Sequence, residues 1–255
     1  MQVETIGGGP PLVLLHGWAM HSGIFAPLSE RLARHFTLHL VDLPGHGFNA
    51  DCSTALTLEA VAAKVAELTP PAPWLGWSLG GLVALHAAQT RAASVRGLIM
   101  LAASPRFVRA PDWPQGMDAQ VFIGFASELA RDYQATIDRF LMLEAQGSDH
   151  VREELRLLRA QVFARCQPSA QRLCESLQLL QDSDLRAGLA QLSVPSLWIA
   201  GRRDRLVFPQ AMQAAAGMTP GSHFLQIEHG GHAPFLSHAD DVTGAITDFI
   251  AGLQA

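Results

Sequence analysis

The sequence predicts an α/β fold: a mostly parallel sheet with helices on both faces, interrupted by a helical insertion. Short apolar runs alternate with helix-spaced segments up to about Ser104, the rhythm of consecutive β-α-β units. That rhythm then stops, and the stretch 107–192 shows helical patterns punctuated by Pro111, Pro114 and Pro168 with no buried-strand signal. Strand-like runs return afterwards, so one sheet domain (1–106 and 193–255) is expected to be split by a helical lid (107–192) over a site at the strand ends.

The elements follow in order. Leu12–Leu15 is an apolar run stopped by His16-Gly17, and Phe36–Val41 is stopped by Asp42-Leu43-Pro44-Gly45. Leu58–Leu68 has helical spacing behind Thr57, a residue able to cap it. Trp74–Trp77 reads as a strand ending at Ser78, Leu79–Gln89 as a helix rich in Gly, Ala and Leu, and Gly97–Ala102 as the next strand. Ser196–Ala200 and Phe224–Ile227 are the late strands, and Asp240–Leu253 reads as a closing helix.

The composition narrows the function classes. With 255 residues, 49% hydrophobic and 16% charged, the chain has ample material for a core and is unlike a disordered or coiled-coil sequence. A net charge of −5 argues against general nucleic-acid binding. Lys64 is the one lysine among 18 basic residues, which reads as genomic composition. Three irregularly spaced cysteines suggest neither a disulfide framework nor a thiolate zinc site. No signal-peptide pattern or membrane-spanning apolar stretch is seen, so a soluble, reducing, cytoplasmic setting is expected, with no membrane partner.

The chemistry is carried by Gly76-Trp77-Ser78-Leu79-Gly80, a G-x-S-x-G pattern between a predicted strand and a predicted helix. In the α/β-hydrolase fold this pattern is a strained elbow that projects the serine hydroxyl, with the helix N-terminus offering an N–H and a favourable dipole to an oxyanion. Glycines around the serine avoid side-chain clashes there. His16-Gly17-Trp18 follows the first strong strand, where that fold places its second oxyanion donor, so Trp18 and Leu79 are expected to supply the backbone N–H groups. Gly17 is expected to let the backbone approach substrate, and His16 to hold the loop structurally.

That fold orders its triad Ser, then Asp or Glu, then His. Five histidines besides His232 follow Ser78. His232 stands out between Gly230-Gly231 and Ala233-Pro234-Phe235, just after a strand; His229 and His238 are competitors, and His86 is expected buried and turned away. Asp204 follows the Ser196–Ala200 strand, where a carboxylate can orient an imidazole; its alternative is a surface pair with Arg202, Arg203 or Arg205. Asp182 and Asp184 lie in the insertion and fit poorly. Ser78 is thus expected as nucleophile, His232 as base and Asp204 as orienting acid, needing no metal or organic cofactor.

The segments HGWAMHSGIF, LVDLPGHGFN, GWSLGGLVAL, GRRDRLVFP and HAPFLSH together resemble the pimeloyl-acyl-carrier-protein methyl ester esterases of biotin synthesis, over most of the chain from Leu12 onward. The resemblance implies ester hydrolysis that releases methanol, with an acyl-carrier protein as partner; a monomer is expected. It carries over Ser78, Asp204 and His232 as triad and Trp18 and Leu79 at the oxyanion. Asp138-Arg139-Phe140-Leu141 resembles the family's lid segment, which implies Phe140 and Leu141 against the acyl chain and Arg139 toward the carrier. Arg152, Arg156 and Arg159 share a helical face beside Val151, Leu155, Leu158 and Val162. That stripe reads as a solvated face balanced by Glu153 and Glu154, or, with the resemblance, as a contact for an acidic carrier and its phosphopantetheine. Ala135 stands where some relatives are more basic, which implies a weaker or rearranged contact. The triad also suits a short-chain carboxylesterase, a lactonase or a C–C hydrolase, and a non-catalytic receptor shares the fold; a dehalogenase would need a carboxylate in place of Ser78.

Overall fold

The computed structural model describes residues 1–253. Seven strands form one sheet in the order β1-β3-β2-β4-β5-β6-β7. They are β1 (Val3–Gly7), β2 (Pro11–Leu15), β3 (Thr37–Val41), β4 (Ala72–Trp77), β5 (Val95–Leu101), β6 (Ser196–Gly201) and β7 (Ser222–Ile227). β1 runs antiparallel to β3, and every other pairing is parallel. β4 and β6, inside the sheet, are buried along their whole length, as expected for parallel strands covered on both faces.

Helices α1 (Ala26–Leu32), α2 (Leu58–Leu68), α3 (Leu79–Thr90), α8 (Pro209–Gly217), α9 (Pro234–Ser237) and α10 (Ala239–Gly252) belong to the sheet domain. α2 begins where its sequence predicts: the Thr57 side chain accepts the Ala60 N–H, satisfying one of the first-turn donors. α3 is apolar on nearly all sides and accordingly buried, from Leu79 to Ala88 save His86. Trp18, Trp74, Trp77 and Trp198 lie in the core with no exposed surface.

Four α-helices and a short 3-10 helix (Arg186–Gln191) connect β5 to β6, the α-helices being α4 (Ala119–Leu129), α5 (Tyr133–Ala145), α6 (Val151–Val162) and α7 (Ala170–Asp182). Asp118, Asp132 and Ser169 cap α4, α5 and α7 with side-chain oxygens. α4 packs on α7 and α5, α5 packs on α6, and α7 reaches down to α3. Among the described residues no helix is long and apolar enough to cross a membrane.

Some expectations change. β1 is absent from the sequence reading, because a half-exposed edge strand shows only weak alternation before Gly7-Gly8-Gly9. β5 and β7 start two residues earlier than expected, at Val95 and Ser222, since exposed Arg96 and His223 interrupt the apolar run. On α6, Val151 is exposed at 38%, whereas Glu154 is buried at 1% and replaces it on the inner face. His86 is half-buried and bonded to Glu59 at 2.8 Å.

Candidate active site

Ser78 stands between β4 and α3 with φ 52° and ψ −116°, a backbone conformation that costs a non-glycine residue on the order of 1–3 kcal/mol. The surroundings impose it. A Cβ on Gly76 would collide with the Gly80 carbonyl, and one on Gly80 with the Leu15 carbonyl. The Ser78 N–H donates to Leu101 O at 3.1 Å, tying the turn to β5. Leu79 is the first residue of α3, so its N–H has no acceptor within the helix.

Gly17 sits over this turn: a Cβ there would lie 3.1 Å from the Trp77 ring and 3.2 Å from Ser78 Cβ. Its small size therefore serves contact with the elbow as well as any approach of substrate. His16 is structural, as expected. Its Nε2 accepts the Leu43 N–H at 2.8 Å, which places the proton on Nδ1, donated to Gly17 O at 2.8 Å. Burial, with His46 beside it, lowers the His16 imidazole to about 3, so it stays neutral. The adjacent Trp18 donates its indole N–H to Leu173 O of α7 at 3.0 Å, joining the loop to the helical segment.

Asp204 and His232 meet in the interior. Asp204 is 2% exposed and His232 1%. Imidazole Nδ1–H donates to Asp204 Oδ2 at 2.8 Å, while Oδ1 accepts the Leu206 and Val207 N–H groups at 2.8 and 2.9 Å. Of the three arginines around Asp204, Arg202 pairs with Glu228, Arg203 pairs with Asp149, and Arg205 is exposed. Nε2 of His232 is buried and has no hydrogen-bond partner, leaving it open to take a proton. His229 instead pairs with Asp149 at 2.8 Å on the surface, and His238 bonds the Ser237 hydroxyl at 2.9 Å.

Trp77 is a site residue that motif reasoning left unassigned. Its indole N–H donates to the His232 carbonyl at 2.9 Å, and its ring lies 5.7 Å from the imidazole and 5.2 Å from Phe235. The variable position of the elbow thereby holds the base loop, and no spacing rule signals this.

A narrow cavity of about 20 Å³ lies beside Ser78, with Trp18, Phe107, Phe122, Phe125, Phe140 and Leu206 among its walls. None of its lining residues is charged. Phe140 packs edge-on against Trp18, with ring centroids 4.5 Å apart. Leu141, expected beside it, is fully buried and does not line the cavity, because the next residue on a helix points about 100° away. Phe122 and Phe125 line it instead; their i, i+3 spacing on an apolar helix was the available signal.

The arginines divide into two groups. Arg139 pairs with Glu128 at 2.6 Å and stacks on Phe125 at 4.6 Å, and Arg159 pairs with Asp138 at 3.0 Å. Arg152 and Arg156 are exposed on α6.

A buried acid–base pair, a strained serine and an unclaimed helix-N-terminal amide together can carry acyl transfer. The chain matches the model of the alpha/beta hydrolase family over residues 12–245 and belongs to that family. It is 57% identical over 253 residues to the pimeloyl-[acyl-carrier protein] methyl ester esterase of Xanthomonas oryzae pv. oryzae, covering 99% of this chain and 100% of that one. The protein of the same name from Stenotrophomonas maltophilia strain R551-3 is 57% identical over 254 residues, covering 100% of this chain and 98% of that one. Among solved structures, an esterase from Exiguobacterium antarcticum superposes with a TM-score of 0.87 at 24% identity, covering 99% of this chain and 95% of that one. The enol-lactonase from Burkholderia xenovorans LB400 gives 0.85 at 19%, covering 98% and 96% respectively. These distant structures bear on the fold alone.

Proposed function

We propose that the protein is a serine esterase that hydrolyses the methyl ester of pimeloyl-acyl-carrier protein and releases methanol. Full-length likeness to the esterases of that name supports the substrate. The observation that carries the chemistry is the buried Asp204–His232 pair in the same fold as a strained Ser78 that lines an uncharged cavity.

In this reading His232 Nε2 takes the Ser78 proton as Oγ attacks the ester carbonyl. The Trp18 and Leu79 amides hold the oxyanion. The intermediate collapses, the imidazolium gives its proton to methoxide, and methanol leaves an acyl-serine. Water repeats the sequence to free the carboxylate. Asp204 keeps the imidazole in the productive tautomer and stabilises its charged form. The apolar walls suit a neutral ester; a carboxylate there would lose its hydration without a counter-charge, which favours product release. The segment 107–192 serves as the lid, and Arg139, Arg152, Arg156 and Arg159 form the face offered to an acidic carrier.

The test compares hydrolysis of the carrier-bound methyl ester with that of p-nitrophenyl esters of graded length, for wild type and Ser78→Ala. Strong preference for the carrier-bound ester, abolished in the variant, is expected. Equal turnover of short free esters would move the protein to the general carboxylesterases. No Ser78-dependent turnover of any ester would overturn the reading.

A further inference from the structure

Two buried carboxyl groups of the helical segment take no part in the chemistry above. Glu144, near the end of α5, is fully buried, and neither of its oxygens has a hydrogen-bond partner. Glu154 of α6 accepts the Ser148 hydroxyl at 2.6 Å through Oε1, while its buried Oε2 has no partner. Burial first, then the charges of Asp204 and Glu154, hold the Glu144 carboxyl well above the ordinary glutamate range. Burial also raises Glu154, against the opposing influence of Ser148, Ser237, His150 and His232. The titratable groups around these two carboxyls are therefore Asp204 and His232 from the sheet loops, Glu154 of α6 and His150 just before it.

The turn joining α5 to α6 rests on the loops that carry the acid and the base. A Cβ on Gly147, where φ is +96°, would collide with the Arg203 carbonyl. A Cβ on Gly231 would lie 3.4 Å from Ser148 Cβ and 3.6 Å from the Glu144 carbonyl. The Asp149 N–H points to His229 O at 3.5 Å. One Asp149 carboxylate oxygen pairs with Arg203, the neighbour of Asp204, and the other meets His229 Nδ1 at 2.8 Å on the base loop. Arg203 N–H in turn donates to Gly230 O at 3.0 Å.

We propose that this turn is a positioning element for the acid–base pair: Asp149 fastens the Asp204 loop to the His232 loop from outside, and Glu144 backs both from within. Asp149 touches no reacting atom and acts through Arg203 and His229. An exposed ion pair contributes little to stability, whereas a small misplacement of a reacting group can cost on the order of 100-fold in rate. Loss of Asp149 therefore lowers turnover more than it lowers stability. Glu144 serves in its uncharged form, since ionising it would set a second, unpaired negative charge behind Asp204.

The inference rests on the reading of Ser78, Asp204 and His232 as the reacting groups, so the assay uses a free ester that needs no carrier. Hydrolysis of p-nitrophenyl butyrate is followed across pH with the full chain as wild type, Ser78→Ala, Asp149→Ala, Asp149→Glu and Glu144→Gln, beside thermal unfolding. Asp149→Ala is expected to lower kcat about tenfold with KM within about twofold. Its Tm should move by less than about 2 °C. The acidic limb of kcat/KM should shift to lower pH by roughly half a unit, because a loosened carboxylate stabilises imidazolium less. Asp149→Glu restores part of kcat, and Glu144→Gln keeps its kcat to higher pH than the wild type. Asp149→Ala with wild-type kcat, or with kcat falling only in step with Tm and an unmoved pH limb, overturns the proposal. Absence of Ser78-dependent turnover in the wild type would instead overturn the esterase reading beneath it.

Discussion

Ser78 and Phe140 line the same cavity, but different forces hold them there. Around Ser78 the backbone decides. Gly76 and Gly80 are pressed against carbonyl groups, and the serine is locked at positive φ between two buried strands and a buried helix. Around Phe140 side chains decide. Aromatic rings of α4, α5 and the Trp18 loop lean on one another at 4.5 to 6.2 Å, and Arg139–Glu128 closes the outer face. The floor of the site is built to hold a strained geometry that chemistry needs. The roof is built from helices held to one another by side-chain contacts. Asp149 and Glu144 are among the places where roof and floor touch away from the cavity.

Substitutions sharpen this contrast, the largest effect coming first. Asp204→Asn leaves the floor in place but puts the imidazole in the wrong tautomer, and kcat should fall by about 10³–10⁴-fold with near wild-type circular dichroism. An activity loss below tenfold would show that Asp204 does not orient His232. Gly80→Ala forces a Cβ into the Leu15 carbonyl, and its denaturation midpoint should reveal a loss of about 3 kcal/mol or more.

The His16 imidazole tests the floor through pH. Its folded value of about 3 lies below the ordinary 6.5, mainly through burial. A depressed value means that the stability it contributes is present above pH 6.5 and is lost as pH falls toward 3. His16→Gln removes that titration, so its Tm should depend less on pH than that of the wild type across this window. Parallel Tm–pH curves would contradict the assignment of a neutral buried imidazole. The smallest effect belongs to the roof. Gly124 lies within α4, and a Cβ there meets nothing nearer than Arg139 Nη2 at 4.0 Å. Gly124→Ala should stabilise by about 0.5–1 kcal/mol, the opposite sign to Gly80→Ala. If both alanines behaved alike, the contrast between floor and roof would fail.

The elbow was legible because its geometry demands glycine at fixed offsets from the serine, and such a demand writes itself into a short motif. His232 and Asp204 were legible because each follows an apolar strand that ends abruptly. A resemblance transfers a segment such as Phe140-Leu141, whereas only the helix phase says which of two buried neighbours lines the cavity. Glu154 was read as a solvated charge because a lone carboxylate on an amphipathic helix gives no sign of what packs over it. Trp77 and Asp149 were silent for a related reason: each acts through a partner 155 and 80 residues away.

Local demands on the backbone, repeated at strand ends and turns, let the sequence alone determine the α/β architecture and pick out Ser78, Asp204 and His232 as the candidate reacting groups. Everything that depends on distant segments meeting was decided by the tertiary structure. This includes the uncharged wall around the Ser78 cavity, the pairing of Arg139 and Arg159 within the helical segment, and the buried carboxyl groups of Glu144 and Glu154. Burial and charge pairing are properties of neighbours in space, and neither the identity of a residue nor its spacing records them.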